Sequence, residues 1–259
     1  VRHVPARADF MVTTMRTVFT LAWIIMPPIA GWVAAKFSIF NVFLISALSY
    51  AVMGGIFALL ISDKETAVQV PPPVRAEGAS LLSTFALPFG TLAGLAGLVV
   101  MTAAMRILTF TVPLFIVGDL GGTVTDVGFY AGITAAIEAP CMLLLAYLTT
   151  KWTKETLLAA AGLVMAAFIG ISSVVTVMTA FYWLLLLNGL GTAALVSVNI
   201  PYVQDAIKGR VGLSTSLMDV VAIAANLLGA TAFGLLTSGG NYRFALMVGD
   251  GVAVVGAAV

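Results

Sequence analysis

Eight long apolar runs, at about residues 12–35, 40–62, 89–117, 127–149, 156–175, 180–204, 212–237 and 242–259, leave this chain few ways to fold. A helix rises about 1.5 Å per residue, so roughly twenty apolar residues cross a hydrocarbon core of about 30 Å. In that medium every backbone N–H and C=O must find its partner inside the protein, and runs of this length meet the demand as helices. The expectation is an all-α integral membrane protein with about eight transmembrane helices. The connections are short except for 63–88, which holds Pro71, Pro72 and Pro73 among mixed charges and reads as an extended, solvated linker. It divides the chain two spans against six, residues 1–62 before it and 89–259 after it.

Charge is scarce enough to exclude a soluble domain. Of 259 residues 9% are charged and 61% hydrophobic, with a mean hydropathy of +1.11; a soluble domain carries about 25% charged residues. The net charge of +1 says nothing about partners, and no nucleic-acid partner is expected. A single cysteine, Cys141, excludes an internal disulfide, and with His3 the one histidine no His/Cys metal cluster can be assembled. No cofactor is expected. The basic residues 1–11 followed by an apolar run imitate a signal peptide, but that run reaches Ala35, contains Pro27 and Pro28, and leads at once into another span. Counting basic residues sets the orientation. With the N-terminus and the linker in the cytoplasm, Arg2, Arg7, Lys64, Arg75, Lys151, Lys154, Lys208 and Arg210 lie inside, against Lys36 and Arg243 outside. The last run stops at Val259 without a polar tail and the first begins after a few residues, so both ends read as cut.

The polar groups inside the runs carry the functional information. Glu138 stands near the middle of the apolar stretch Gly128–Thr149. A carboxylate at that depth costs about 2.5–3.5 kcal/mol on insertion scales, so it is expected to face protein, a cavity or a partner. Thr134 and Ala135 share its face, and Pro140, two residues on, frees the Ala136 carbonyl. Arg106 lies at a similar depth in the preceding span, and the two charges are within reach of pairing, either as a structural ion pair or as a proton switch. In the sixth run Asn188, Thr192, Asn199 and Tyr202 fall close to one stripe, and in the seventh Thr215 or Ser216, Asp219 and Asn226 do the same. Such amides and hydroxyls either hold a polyhydroxylated solute or hold helices together, at about 0.6 kcal/mol per bond. Arg16, one turn inside the first run, is placed to snorkel to the interface. Trp32, Trp152, Trp183, Tyr147 and Tyr182, near run ends, read as interfacial anchors, whereas Trp23, Tyr50 and Tyr130 lie nearer a cavity. The pairs Gly90/Gly94, Gly128/Gly132 and Ala225/Gly229 suit close helix crossings.

VPLFIVGDL (112–120), GFYAGITAAIEAPCMLLLAYL (128–148) and PYVQDAIKGRVGLSTSL (201–217), in this order and spacing, resemble the bacterial sugar efflux transporters of the major facilitator superfamily. The opening RTVFTLAWIIMPPIAGW (16–32) is similar to the fifth span of that family. The resemblance implies a fold of two six-helix bundles, with this chain supplying spans five to twelve: residues 1–62 the last two spans of the first bundle, 63–88 the cytoplasmic loop, and 89–259 the second bundle. It further implies proton-driven export of sugars or glycosides by alternating access across the bacterial inner membrane. By motif, Arg16, Pro27, Pro28, Glu138, Pro140, Tyr202, Gln204 and Asp205 carry over, as gating or structural residues apart from the acid and the tyrosine. Two departures stand out: Met26 occupies a position usually held by glycine, and the basic loop after the Glu138 span is thinned to 149–155, TTKWTKE.

Together these readings give Glu138, Arg106 and Asp219 as proton-coupling candidates. Asn188, Thr192, Asn199, Tyr202, Asn226, Thr134 and Tyr130 are the substrate-cavity candidates. The expected partners are a small sugar or glycoside, protons and the lipid bilayer, with the missing N-terminal spans or another copy needed to complete a cavity. Three alternatives remain open: an exporter of drugs or other small molecules in the same superfamily, a truncated remnant that does not transport, and an intramembrane enzyme. The last is disfavoured because no span contains a histidine for a Ser-His pair or a metal site.

Overall fold

The computed structural model describes residues 8–60, 87–206 and 211–258, with side chains described for 18–60, 87–205 and 213–258. Among the described residues the secondary structure is helical throughout: α1 (Ala8–Lys36), α2 (Ile39–Leu60), α3 (Phe89–Gly118), α4 (Val124–Leu148), α5 (Lys154–Val174), α6 (Met178–Ser197), α7 (Asn199–Ala206), α8 (Val211–Thr237) and α9 (Tyr242–Ala258). Among the described residues seven spans are long and apolar enough to cross a membrane, α6 and α7 together forming one of them. The eighth expected span is α9, whose 17 residues reach about 26 Å, slightly short of a hydrocarbon core. The expected linker lies outside the described residues except for Leu87 and Pro88, as does the side chain of Arg16.

The sixth run is not one helix. Pro201 has no N–H to give the Ser197 carbonyl, and the chain breaks at Val198 into α6 and the eight-residue α7. The joint stays bonded on both sides, Val198 N–H donating to Ala194 O at 2.9 Å and Tyr202 N–H to Val198 O at 3.0 Å.

From α3 onward the helices enclose one core. Phe115, Phe168 and Phe181, from α3, α5 and α6, are fully buried, with Phe181 6.0 Å from each of the other two ring centres. α9 packs into the groove between α3 and α5, where an added Cβ on Gly256 would meet the Met101 backbone nitrogen at 2.8 Å and one on Gly162 the Ala257 Cβ at 2.7 Å. The packing therefore depends on the absence of side chains at these positions.

α1 leaves this core and lies along α4. Gly31 faces the Val124 carbonyl oxygen, Gly128 abuts the Pro27 carbonyl oxygen, and a Cβ on Gly132 would sit 2.6 Å from Pro28 Cγ and 2.7 Å from the Ile24 oxygen. The consecutive prolines and the Gly128/Gly132 pair are thus two halves of one crossing. α2 touches α1 and buries none of its residues. Its hydroxyls are satisfied within the helix, Ser46 Oγ donating to Val42 O at 2.9 Å and Ser49 Oγ to Ile45 O at 2.8 Å, as an apolar surrounding requires.

Polar fastenings concentrate at the end formed by the α3–α4, α5–α6 and α8–α9 turns. Thr123 caps α4 in a reciprocal box with Asp126, whose Oδ2 accepts from Thr123 N at 2.7 Å and from Thr123 Oγ1 at 2.7 Å. The other Asp126 oxygen accepts from Tyr182 OH of α6 at 2.7 Å. Tyr182→Phe is expected to cost about 1 kcal/mol, lowering the thermal midpoint by roughly 2–4 °C in detergent. An unchanged midpoint would show that the bond adds nothing to stability. Arg243, in the first turn of α9, donates from Nη1 to the carbonyl oxygens of Ser173 at 2.8 Å and Val175 at 2.7 Å. Its Nε lies 3.7 Å from Asp119 Oδ1, and its guanidinium lies over the Phe115 ring at 5.1 Å. In the α3–α4 turn Gly121 takes φ +66°, a left-handed setting that costs glycine little.

Candidate functional site

A buried amide joined to hydroxyls of a second helix lies where α6 meets α4. Gly189 lets the helices close: a Cβ there would meet Ile137 Cβ at 2.7 Å and the Thr134 carbonyl oxygen at 3.2 Å. One residue earlier, Asn188 is 2% exposed and directs Nδ2 to Thr134 Oγ1 at 3.0 Å and to Tyr130 OH at 3.5 Å. The Tyr130 ring leans on Phe181, centres 6.1 Å apart. Thr192, one turn further along α6, is buried on the same side. Tyr130, Thr134 and Asn188 thereby form a compact polar cluster from two helices, with Thr192 buried one turn along α6.

Glu138 follows Thr134 by one turn of α4 and is half-buried. Among the described residues no hydrogen bond or ion pair engages it, and Arg106 is not its partner. Their similar depth does not bring them together, because α3 packs chiefly on α8 and α9 whereas α4 packs on α1 and α6. Arg106 instead seats its Cβ against Gly229 of α8, where an added Cβ would come to 2.5 Å, and its Nε is buried without a partner. Asp219 and Asn226 lie on the uncovered face of α8.

The break at Val198 divides the stripe expected on the sixth run. Asn188 and Thr192 stay with the α4 cluster, while Asn199 is half-buried with its Oδ1 lacking a partner. Tyr202 turns toward α3, its hydroxyl against Gly94. Gln204 and Asp205 are exposed on α7. Asp205 forms an ion pair with Lys154 of α5, whose Nζ also donates to the Pro201 carbonyl at 3.2 Å. Pro140 faces outward on α4, which continues as helix through it. No group of His, Cys, Asp and Glu able to hold a metal ion occurs among the described residues.

Two features of this geometry are hidden from sequence reasoning. The Arg243 contacts end on backbone carbonyls, which leave no trace in residue identity. The Asp126–Tyr182 bond joins residues that the sequence places only in a loop and at an interface; their single signal was the Thr123/Asp126 capping spacing.

A bundle of apolar helices with a buried amide–hydroxyl cluster and an unpaired intramembrane acid defines a multi-pass membrane protein with a polar interior. A family model for the Major Facilitator Superfamily matches residues 1–177 and again 94–259, so the chain belongs to that superfamily, one of transporters rather than enzymes. It is 26% identical over 246 residues to "Sugar efflux transporter C" of Escherichia coli K12, covering 94% of this chain and 61% of that protein. To "Sugar efflux transporter A" of Dickeya chrysanthemi it is 25% identical over 248 residues, 95% of this chain and 61% of the relative. The chain spans about three-fifths of the length of these curated relatives.

Proposed function

We propose that this protein exports sugars or glycosides across the bacterial inner membrane by alternating access, with protons moving the opposite way. In this reading α1 and α2 are the fifth and sixth spans of a first bundle, α3 to α9 build the second, and the N-terminus and linker lie in the cytoplasm. The observation that carries the reading is the Tyr130–Thr134–Asn188 cluster one turn from Glu138. Neutral donors and acceptors can exchange their mutual bonds for those of sugar hydroxyls at little net cost. The names of the relatives point to the same class of solute. Glu138 is the proton carrier in this scheme: an acid without a fixed counter-ion is free to bind a proton on one side and release it on the other. Arg106, which faces α8, is not its direct counter-ion in the described conformation.

The test is uptake of lactose into inside-out vesicles under an imposed proton gradient. Glu138→Gln is expected to reduce accumulation at least ten-fold while leaving downhill exchange in place. Asn188→Leu is expected to impair both. Accumulation by Glu138→Gln at the unmodified level would eliminate the coupling role, and transport of lipophilic cations without lactose would replace sugar export by drug export.

A further inference from the structure

Arg106 stands near the middle of α3, and unlike an acid it has no neutral form to retreat to, because a guanidinium keeps its proton in any protein surrounding. A permanent cation at that depth is costly unless it meets an anion or a wet, polar space. The crossing of α3 on α8 sets its place. Gly229 receives the Arg106 Cβ, where an added Cβ would come to 2.5 Å, and four residues further along each helix Phe110 and Phe233 bring their ring centres to 5.7 Å. The two helices therefore run side by side in parallel register, and four residues back Thr102 comes level with Ala225 and Asn226.

The polar groups of this seam are uncommitted. Among the described residues no hydrogen bond or ion pair engages the Arg106 guanidinium, the Thr102 hydroxyl or the Asn226 amide, and Arg106 Nε is buried. The described acids of α8 and α9, the helices packed on α3, lie elsewhere. Asp219 precedes Gly229 by ten residues, about 15 Å along α8, and Asp250 sets its carboxylate against Gly170 of α5, with Oδ2 3.0 Å from an added Cβ there. Arg243, at the start of α9, is bound to the Ser173 and Val175 carbonyls. Asn226 is exposed on the uncovered face of α8, and Phe110 of α3 is 38% exposed. A guanidinium fork holds a carboxylate through two parallel N–H donors, and an amide and a hydroxyl exchange hydrogen bonds with ring hydroxyls. An aromatic ring adds a flat apolar face for sugar C–H groups.

We propose that the seam between α3 and α8 is an acidic-sugar subsite, in which Arg106 pairs with the carboxylate of a uronate-type sugar while Thr102 and Asn226 meet its ring hydroxyls. The inference rests on the sugar-export reading and narrows its solute class: neutral glycosides are carried, and sugars bearing a carboxylate are held more tightly. The subsite draws on a different pair of helices from the Asn188 cluster and leaves Glu138 to the proton.

The experiment is competition at neutral pH against radiolabelled lactose uptake into inside-out vesicles, with galacturonate and galactose as unlabelled competitors that share a ring and differ in the carboxylate. Galacturonate is expected to half-inhibit uptake at a concentration at least five-fold lower than galactose. Arg106→Gln is expected to bring that ratio below two, and Arg106→Lys, which keeps the charge without the fork, to hold it between two and five. A ratio below two in the unmodified chain overturns the subsite and leaves the sugar reading standing, whether or not the glutamine variant assembles; a five-fold ratio that survives Arg106→Gln overturns it as well. No lactose uptake by the unmodified chain overturns both.

Discussion

Gly132→Leu is expected to pry α1 from α4. A Cβ at this position already falls 2.7 Å from the Ile24 oxygen and 2.6 Å from Pro28 Cγ, and one of these obstacles is backbone in a proline-stiffened stretch that cannot step aside. Forcing a larger side chain into close packing costs about 1–3 kcal/mol, and here the upper end applies. The thermal midpoint in detergent should fall by roughly 6–12 °C. Gly234→Leu on α8 is the matched control, since nothing lies within 4 Å of an added Cβ there. Equal shifts for the two variants would mean that the crossing does not depend on the glycine, and that helix propensity alone explains the effect.

Arg243→Ala should be comparably damaging at the opposite kind of contact. The guanidinium joins three elements at once: the start of α9, the last carbonyls of α5 through Ser173 and Val175, and Asp119 at the end of α3. Hydrogen bonds to a charged donor contribute about 1.5–3 kcal/mol each when their loss leaves acceptors unsatisfied, but partial exposure of both ionic side chains discounts the Asp119 contribution. Both carbonyl bonds leave the same Nη1 and do not add in full, so a total of about 2–3 kcal/mol is expected, read as a lower thermal midpoint and faster hydrogen exchange in the α5–α6 and α8–α9 turns. Arg243→Lys, with a point charge in place of the planar fork, should recover less than half. Full recovery by lysine would reduce the role of Arg243 to charge alone.

The comparison of sequence with structure separates what lies along a helix from what lies between helices. The apolar runs mark the helices because lipid demands length and apolarity of each span separately. Pro201 signalled the break at Val198, yet the apolar run passes through it and reads as continuous. The Gly128/Gly132 spacing marks a close crossing, but its partner, the Pro27–Pro28 segment about a hundred residues earlier, is set by tertiary packing. Depth alone suggests a meeting of Arg106 and Glu138, and depth fixes only one coordinate. The direction each side chain takes around its helix depends on which neighbour each helix packs against, and α3 and α4 pack against different ones. The Asn188, Thr134 and Tyr130 cluster was visible as three polar residues on apolar helices; that they bond to one another was not.

Among the described residues none of α2 is buried, Phe40, Phe43, Leu59 and Leu60 included, and its packed neighbour is α1, so the described part of the chain sets little of which way that helix is turned about its long axis. Its rotational setting belongs to whatever acyl chains or protein surround it. Substitutions along α2 should therefore be nearly silent when the isolated chain is melted, and speak up only in assays that read company: partitioning, oligomer size and lipid exchange.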